Sequence, residues 1–226
     1  MDAEDLMEKL FAYGHKIIHL PTLKISSVKT ELINSDNFDA FIFTSANAVR
    51  NLKLTNTKKN LHCFCVGSIT EKIARQSGFT STTSAGGTVN ALKNLIMISK
   101  NITKNSKLAY FCGDNISYDL DFELKKEGIK IKKIINYSSD LIKELNTENK
   151  KLIELYPPDL IFIYSSRSAQ SFIAIIKNYS LGPLMTQSTV MCISEKVANI
   201  FKSQKWKKIE IFNPGDEIIK LEDLSQ

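Results

Sequence analysis

Arginine is scarce in this chain. Of 30 basic residues only Arg50, Arg75 and Arg167 are arginines, and the rest are lysines. With 24 acidic residues the formal net charge is +6 at pH 7, which permits an anionic ligand. A solvated lysine-rich surface accounts for the same excess. No basic block is interleaved with aromatics, and no helix-turn-helix or RNA-binding signature occurs, so nucleic acid is not an expected partner. His15, His19 and His62 are the only histidines and form no ligand cluster, and there is no H-E-x-x-H. Cys63, Cys65, Cys112 and Cys192 each lie in an apolar run, and the Cys63-Phe64-Cys65 pair has no second pair at zinc spacing. They read as buried reduced thiols, and no metal is expected. G-x-G-x-x-G and Walker loops are missing, as is a histidine beside a nucleophile. Dehydrogenase, kinase and Ser–His hydrolase chemistry all lose their usual signals, and no cofactor is expected. The longest apolar runs, such as Leu160–Tyr164, are too short for a bilayer. The opening MDAEDLMEKLF lacks the basic flank and apolar stretch of a secretory signal. A soluble cytoplasmic protein with no membrane contact is the expectation, and 226 residues allow one large domain or two small ones.

What is present is alternation. Candidate strands cover Lys16–Leu20, Ala40–Thr44, His62–Val66, Leu108–Cys112, Lys130–Ile135, Leu160–Tyr164, Val190–Ile193 and Lys208–Ile211. Between them lie helical periods over Glu4–Tyr13, Ala46–Leu52, Glu71–Ser77, Thr88–Ser99, Ser117–Glu127, Leu141–Glu154, Ser168–Asn178 and Lys196–Ser203. That order predicts an α/β protein with parallel sheets. Internal repeats sharpen it. FDAFIFTSANAVRNL at 38–52 matches PDLIFIYSSRSAQSF at 158–172, and CFCVGSITEKIARQSGF at 63–79 matches VMCISEKVANIFKSQKW at 190–206. DLMEKLFAYGHKIIHL at 5–20 matches DLDFELKKEGIKIKKI at 119–134, which sets Gly14 on Gly128 as helix C-caps. The later copy is preceded by a strand, KLAYFCGDN, and the earlier copy by four residues.

The repeats nest. The expected architecture is two similar doubly wound parallel-sheet lobes, one discontinuous, joined by two antiparallel linkers near Leu23–Val28 and Ser138–Leu141. The discontinuous lobe would comprise residues 1–24 and 140–226, with its first strand missing and a gap beside Leu160–Tyr164. The middle lobe would comprise 28–137. Small-molecule sites favour the cleft between such lobes.

The strand-to-helix turns supply the candidate site. They are Thr44-Ser45-Ala46-Asn47, Gly67-Ser68-Ile69-Thr70, Cys112-Gly113-Asp114-Asn115, Ser165-Ser166-Arg167-Ser168 and Ser194-Glu195-Lys196. Doubly wound folds bind ligands at such carboxyl edges. Helix N-termini attract carboxylates and phosphates. Any one turn reads first as an ordinary helix cap; five together read as an anion site made of backbone donors, hydroxyls and one or two phenols.

These segments resemble the uroporphyrinogen-III synthase family over nearly the whole chain. FIFTSANAVRNL resembles the opening turn of that family's middle domain. FCVGSITEKIARQSGF resembles its glycine-x-x-threonine turn, with Gly67 and Thr70 in the matching places. LAYFCGD and DLDFELKKEGIKIKKIINYSS resemble its strand, helix, strand and tyrosine, with Tyr137 as that tyrosine. DLIFIYSSRSAQSF and VMCISEKVANIF resemble the turns of the other lobe. The family usually opens on a strand ending in threonine-arginine-proline, which is not found here, and Ser194 and Val197 stand where it tends to have glycine and threonine. The resemblance implies a cofactor-free cyclising lyase of haem biosynthesis acting on hydroxymethylbilane, a linear tetrapyrrole with eight carboxylates. Water leaves the hydroxymethyl group, the substituted carbon of ring D attacks the azafulvene, and the spiro intermediate fragments and recloses with ring D inverted. It implies Tyr137 as the catalytic residue. Thr44, Ser45, Ala46, Gly67, Ser68, Ile69, Thr70, Gly113, Ser165, Ser166, Arg167, Ser194, Glu195, Lys196 and Val197 would bind substrate. A monomer with transient contact to the preceding pathway enzyme is the implied assembly. A linker tyrosine packed at a lobe boundary is the alternative for Tyr137, and a two-lobed anion- or tetrapyrrole-binding module without catalysis is the alternative for the whole.

Overall fold

The structure is a computed structural model and describes residues 3–56 and 58–222. The chain divides into two compact units at Lys24/Ile25 and Ser139/Asp140, so that one unit is continuous and the other takes both flanking stretches. In chain order, α1 (Ala3–Ala12) precedes β1 (Leu23–Ser27), β2 (Ile33–Asn34), β3 (Ala40–Phe43), α2 (Ala46–Arg50) and β4 (Leu54–Asn56). Next come β5 (His62–Cys65), α3 (Ser68–Gln76), β6 (Thr82–Ser84), α4 (Val89–Ile98) and β7 (Lys107–Gly113). α5 (Leu120–Lys126), β8 (Lys130–Leu141), α6 (Thr147–Leu155), β9 (Leu160–Ile163), α7 (Ser166–Asn178) and α8 (Gly182–Met185) follow. β10 (Thr189–Cys192), α9 (Glu195–Phe201), β11 (Lys208–Ile211) and α10 (Glu217–Glu222) complete the described chain.

The middle unit is built on a sheet of order β1-β8-β7-β3-β5-β6, in which β8, β7, β3, β5 and β6 run parallel. All four residues of β3 are buried. Successive side chains of a strand take opposite faces, and the packing follows that rule. Phe41 and Phe43 join Ala48 and Val49 of α2 and Ala74 of α3 on one side. Ala40 and Ile42 join Leu92 and Ile96 of α4 and Leu120 and Leu124 of α5 on the other. A strand covered on both faces needs a continuous apolar run, which AFIF supplies. β1 and β8 are neighbours in the sheet. Val28 N donates to Asn136 O at 3.2 Å and Ile142 N to Thr22 O at 3.0 Å. One index rises as the other falls, so the two crossing segments pair antiparallel.

The discontinuous unit holds a parallel sheet of order β11-β10-β9. Ile161, Ile163, Val190 and Cys192 pack there against Phe172 and Ile175 of α7, Phe201 of α9 and Trp206. β9 is an end strand, and no described strand pairs with its outer edge.

The repeated helix ends are the same down to their hydrogen bonds. Gly14 N donates to Phe11 O at 2.9 Å and His15 N to Leu10 O at 3.2 Å; Gly128 N donates to Lys125 O at 2.9 Å and Ile129 N to Leu124 O at 3.1 Å. Gly14 and Gly128 take φ of 81° and 83°, the left-handed conformation that a Schellman cap requires and that glycine adopts without a Cβ clash. The segments that follow then diverge. Lys130 begins β8 and pairs with Lys107 of β7. Lys16–Leu20, expected as a strand, forms no ladder. Its counterpart is held by β7, and the discontinuous unit has no counterpart of β7 among the described residues. Ile18 and Leu20 still pack on that unit's core. Leu141–Glu154, expected as one helix, is divided. Leu141 ends β8, and the helix begins only at Thr147, where the Asn146 side chain accepts from Asn149 N at 2.7 Å.

All four cysteines are free and buried. Burial pushes the Cys112 and Cys192 thiols up to about 11. No helix among the described residues is long and apolar enough to cross a membrane.

An ion cluster ties α5 to β8. Asp121, 8% exposed, meets Lys133 at 3.1 Å and Lys125 at 3.1 Å. Burial works against its ionisation, but hydrogen bonds with Asp119, Lys125 and Lys133 and the Lys133 charge outweigh it and hold the carboxyl well below the usual range. A depressed carboxyl stabilises the fold above its unfolded pKa of about 3.9 and loses that contribution as pH falls toward the folded value. Melting temperature between pH 6 and pH 2 should therefore fall less steeply in Asp121→Asn than in the parent, from a lower start. Parallel curves would remove Asp121 from the acid response.

Candidate active site

In the middle unit the first of the parallel strands, β3, lies inside the sheet, between β7 and β5. From β3 it winds to β5 and β6 on one side, and then returns to β7 and β8 on the other. α2 and α5, the first helices of the two directions, cover opposite faces. The loops leaving β3 and β7 must therefore part, and a crevice opens at their carboxyl ends, where ligands of doubly wound folds bind.

A cavity of about 130 Å³ lies there, lined by Thr44 beyond β3, by Gly113, Asn115, Ile116, Ser117 and Tyr118 at and beyond β7, and by Val89, Tyr110 and Tyr137. None of these side chains is charged. A cavity near 150 Å³ accommodates one benzene-sized ring, so this one matches a single small aromatic ring. Tyr110 is 1% exposed, and its hydroxyl meets Thr44 Oγ1 at 3.2 Å. Burial pushes the Tyr110 phenol up, against the opposing effect of the Thr44 hydrogen bond. Tyr137 stands opposite Gly113 in the β7–β8 register. Its carbonyl accepts from Asp114 N at 3.1 Å, while Asp114 Oδ1 accepts from Ser139 N at 3.2 Å.

The remaining expected residues of this unit share the carboxyl edge but do not line the cavity. Ser45 caps α2 by accepting from Asn47 N at 3.2 Å, and Ala46 is the first residue of that helix. Gly67 caps α3 with no side-chain bond, which leaves the first turn of a nine-residue helix without a side-chain acceptor. Ser68 and Ile69 are exposed and Thr70 is buried. Gly87 N donates to Val66 O at 2.7 Å, which lays the Gly86-Gly87 turn beside Gly67.

In the discontinuous unit the corresponding edge carries the other turns. Ser165 caps α7, accepting from Ser168 N at 3.0 Å and donating to Ser168 Oγ at 2.9 Å. Ser166 and Arg167 are half-buried in its first turn. Ser194 caps α9, accepting from Val197 N at 3.4 Å. Glu195 and Lys196 are exposed, but Val197 is 2% exposed and belongs to the core. Beside them Tyr164 donates to the buried Glu217 carboxylate at 2.9 Å, which also accepts from Gly215 N at 2.8 Å.

Thr44, Gly113 and Tyr137 thus come together around one cavity. Asn115, part of the expected Cys112–Asn115 turn, joins them, and so do Tyr110, Ser117 and Tyr118, which had not been singled out. Tyr110 sits inside an apolar run, and nothing in LAYFC marks its hydroxyl as reaching the strand's end. Asn115 was visible only as part of its turn.

The class so defined is a doubly wound parallel α/β protein with an uncharged, hydroxyl-lined site at a strand-order reversal. Residues 4–211 match the family described as Uroporphyrinogen-III synthase HemD. The chain belongs to the uroporphyrinogen-III synthase family, cyclising lyases of tetrapyrrole biosynthesis. Its fold is similar to that of uroporphyrinogen-III synthetase from Helicobacter pylori, with a TM-score of 0.63 and 19% identity over 91% of each chain. A mutant uroporphyrinogen III synthase from Thermus thermophilus aligns at a TM-score of 0.48 and 12% identity, over 92% of this chain and 88% of that one. No curated protein sequence matches the chain.

The Thr44–Tyr110 bond gives a direct test of the cavity wall. Thr44→Val leaves the Tyr110 hydroxyl without that partner and should cost about 1–3 kcal/mol in denaturant unfolding. Cys112 is a second hydrogen-bond neighbour of that hydroxyl, so adding Tyr110→Phe should recover only part of the loss. A double variant no more stable than Thr44→Val alone would show that the loss does not come from the hydroxyl.

Proposed function

We propose that this chain cyclises hydroxymethylbilane to uroporphyrinogen III, with Tyr137 as the donor that assists departure of the hydroxyl. The observation that carries the reading is the placement of Tyr137 on an uncharged, ring-sized cavity at the carboxyl ends of β3 and β7. The bilane's pyrrole nitrogen pushes electrons toward the hydroxymethyl carbon, the C–O bond breaks and water leaves. Hydroxide is a poor leaving group, so a phenol hydrogen bond to that oxygen strengthens as charge develops and acts mainly in the transition state. The resulting azafulvene is captured by ring D through the spiro intermediate, and no external oxidant or reductant is needed.

The protein's other task is to hold a flexible anionic chain in the geometry that inverts ring D. The first turn of α3, capped only by Gly67, offers backbone amides at a positive helix end, where a carboxylate is favoured. Ser68 and Ile69 are exposed there. The turns at Ser165–Arg167 and Ser194–Lys196 are the matching candidates in the other unit. A cavity without charge suits the ring rather than its acids, and exclusion of water protects the azafulvene. We place the enzyme in the cytoplasm, acting as a monomer with transient contact to the enzyme that supplies the bilane.

Tyr137→Phe should lower turnover by on the order of 10- to 100-fold, the low end for proton-donor catalysis because the pyrrole itself drives elimination. KM should change little. The measurement is isomer III formation, scored against isomer I, from freshly prepared hydroxymethylbilane. Unchanged turnover in a folded Tyr137→Phe would remove the phenol from catalysis. Failure of the parent chain to exceed the spontaneous rate to isomer I would overturn the enzymatic reading.

A further inference from the structure

We propose that Gly113 is a positioning residue for Tyr137: the missing side chain at 113 is the space that the phenol occupies. The inference rests on the reading of Tyr137 as the donor, and it differs from the substrate contact that Gly113's place in a turn suggests.

β7 and β8 pair residue for residue from Lys107↔Lys130 to Cys112↔Ile135, and then Gly113 pairs with Tyr137. Asn136 is the extra residue of a bulge, a device that re-aims the side chain after it. The bulge is fixed in place. Asn136 is 2% exposed, its Nδ2 donates to Ala48 O at 2.7 Å, and its carbonyl accepts from Val28 N at 3.2 Å. Tyr137 is held in turn by the Asp114 N bond to its carbonyl at 3.1 Å. With its main chain tied on both sides, the ring is the part of Tyr137 that can yield.

A Cβ at position 113 would lie 2.7 Å from Tyr137 Cζ, 2.8 Å from Cε2 and 3.0 Å from the hydroxyl oxygen. These are the atoms at the reactive end of the side chain. Carbon atoms pack at about 3.5–4.0 Å, so even a methyl group must displace the phenol by ~1 Å. The backbone does not itself demand glycine there, because Gly113 is not among the residues with positive φ. The space, and not the main-chain conformation, is what the residue provides.

The test is a double-mutant cycle. Gly113→Ala should lower kcat by about 10- to 100-fold, the scale of a 1 Å misplacement of a reacting group, with KM changed less than about threefold. In a Tyr137→Phe background the same substitution should change kcat less than about threefold, since the hydroxyl it displaces is gone. Full additivity, or a raised KM with kcat kept, would overturn the proposal in favour of direct substrate contact. An independent readout is the ring resonance of Tyr137 in protein carrying ¹³C-labelled tyrosine. It should shift in Gly113→Ala, and an unmoved resonance would overturn the positioning role whatever the kinetics. If Tyr137→Phe keeps full turnover while the resonance shifts, the donor reading fails and the positioning stands. If Gly113→Ala melts too early for kinetics, the Tyr137 resonance recorded below its melting temperature decides: a shift supports the positioning role and an unmoved resonance overturns it.

Discussion

Because β3 lies between β5 and β7, the chain leaves the centre of its sheet in one direction and returns to it from the other. A right-twisted parallel sheet accepts crossovers of only one hand, so α2 and α5 are driven to opposite faces. At the carboxyl ends of β3 and β7 Thr44, Tyr110, Gly113 and Tyr137 meet around one cavity, with Val89 of α4 on its wall. The buried AFIF run of β3 is therefore as much a determinant of the site as the residues that line it. Covered by both helical layers, it cannot move to a sheet edge without exposing one of its faces.

The charge on this protein and the chemistry of its site are separated. Lysines dominate the basic residues, but the cavity wall has only hydroxyls, one amide, backbone and apolar groups. The ion cluster around Asp121 lies on the α5–β8 side and braces the strand that carries Tyr137. Fixed dipoles suit a reaction whose intermediate is an electrophile, because they stabilise developing charge without offering a strong nucleophile to trap it.

Much of this was legible in the sequence, for local reasons. Ser45 and Ser165 follow apolar runs, and both are extended caps, with φ of −156° and −160°. Gly14 and Gly128 could be aligned because a left-handed helix end leaves few residue choices. What escaped was non-local. Lys16–Leu20 has the pattern of a strand, but a ladder needs a neighbour, and pattern does not report one. β6, Thr82-Thr83-Ser84, has no apolar alternation and is held by pairing with β5. Asn136 was invisible as a bulge, because KIKKIINY can be read straight through as a strand. Asn146 was a cap hidden inside an apparent helical period. Of the expected site residues, those at Thr44, Gly113 and Tyr137 converge on one cavity. Val197 lies in the core, because a residue in the first turn of α9 can face the sheet as readily as the solvent.

The four buried thiols give this molecule a built-in reporter. Cys63, Cys65 and Cys112 sit in β5 and β7 of the middle unit, and Cys192 in β10 of the other. A thiol that is both sealed and protonated reacts with an alkylating reagent only while its strand is uncovered. The rate of modification therefore measures opening, and mass spectrometry of the separate peptides assigns it. Each unit's breathing can be followed in the unmodified sequence, without introducing a probe.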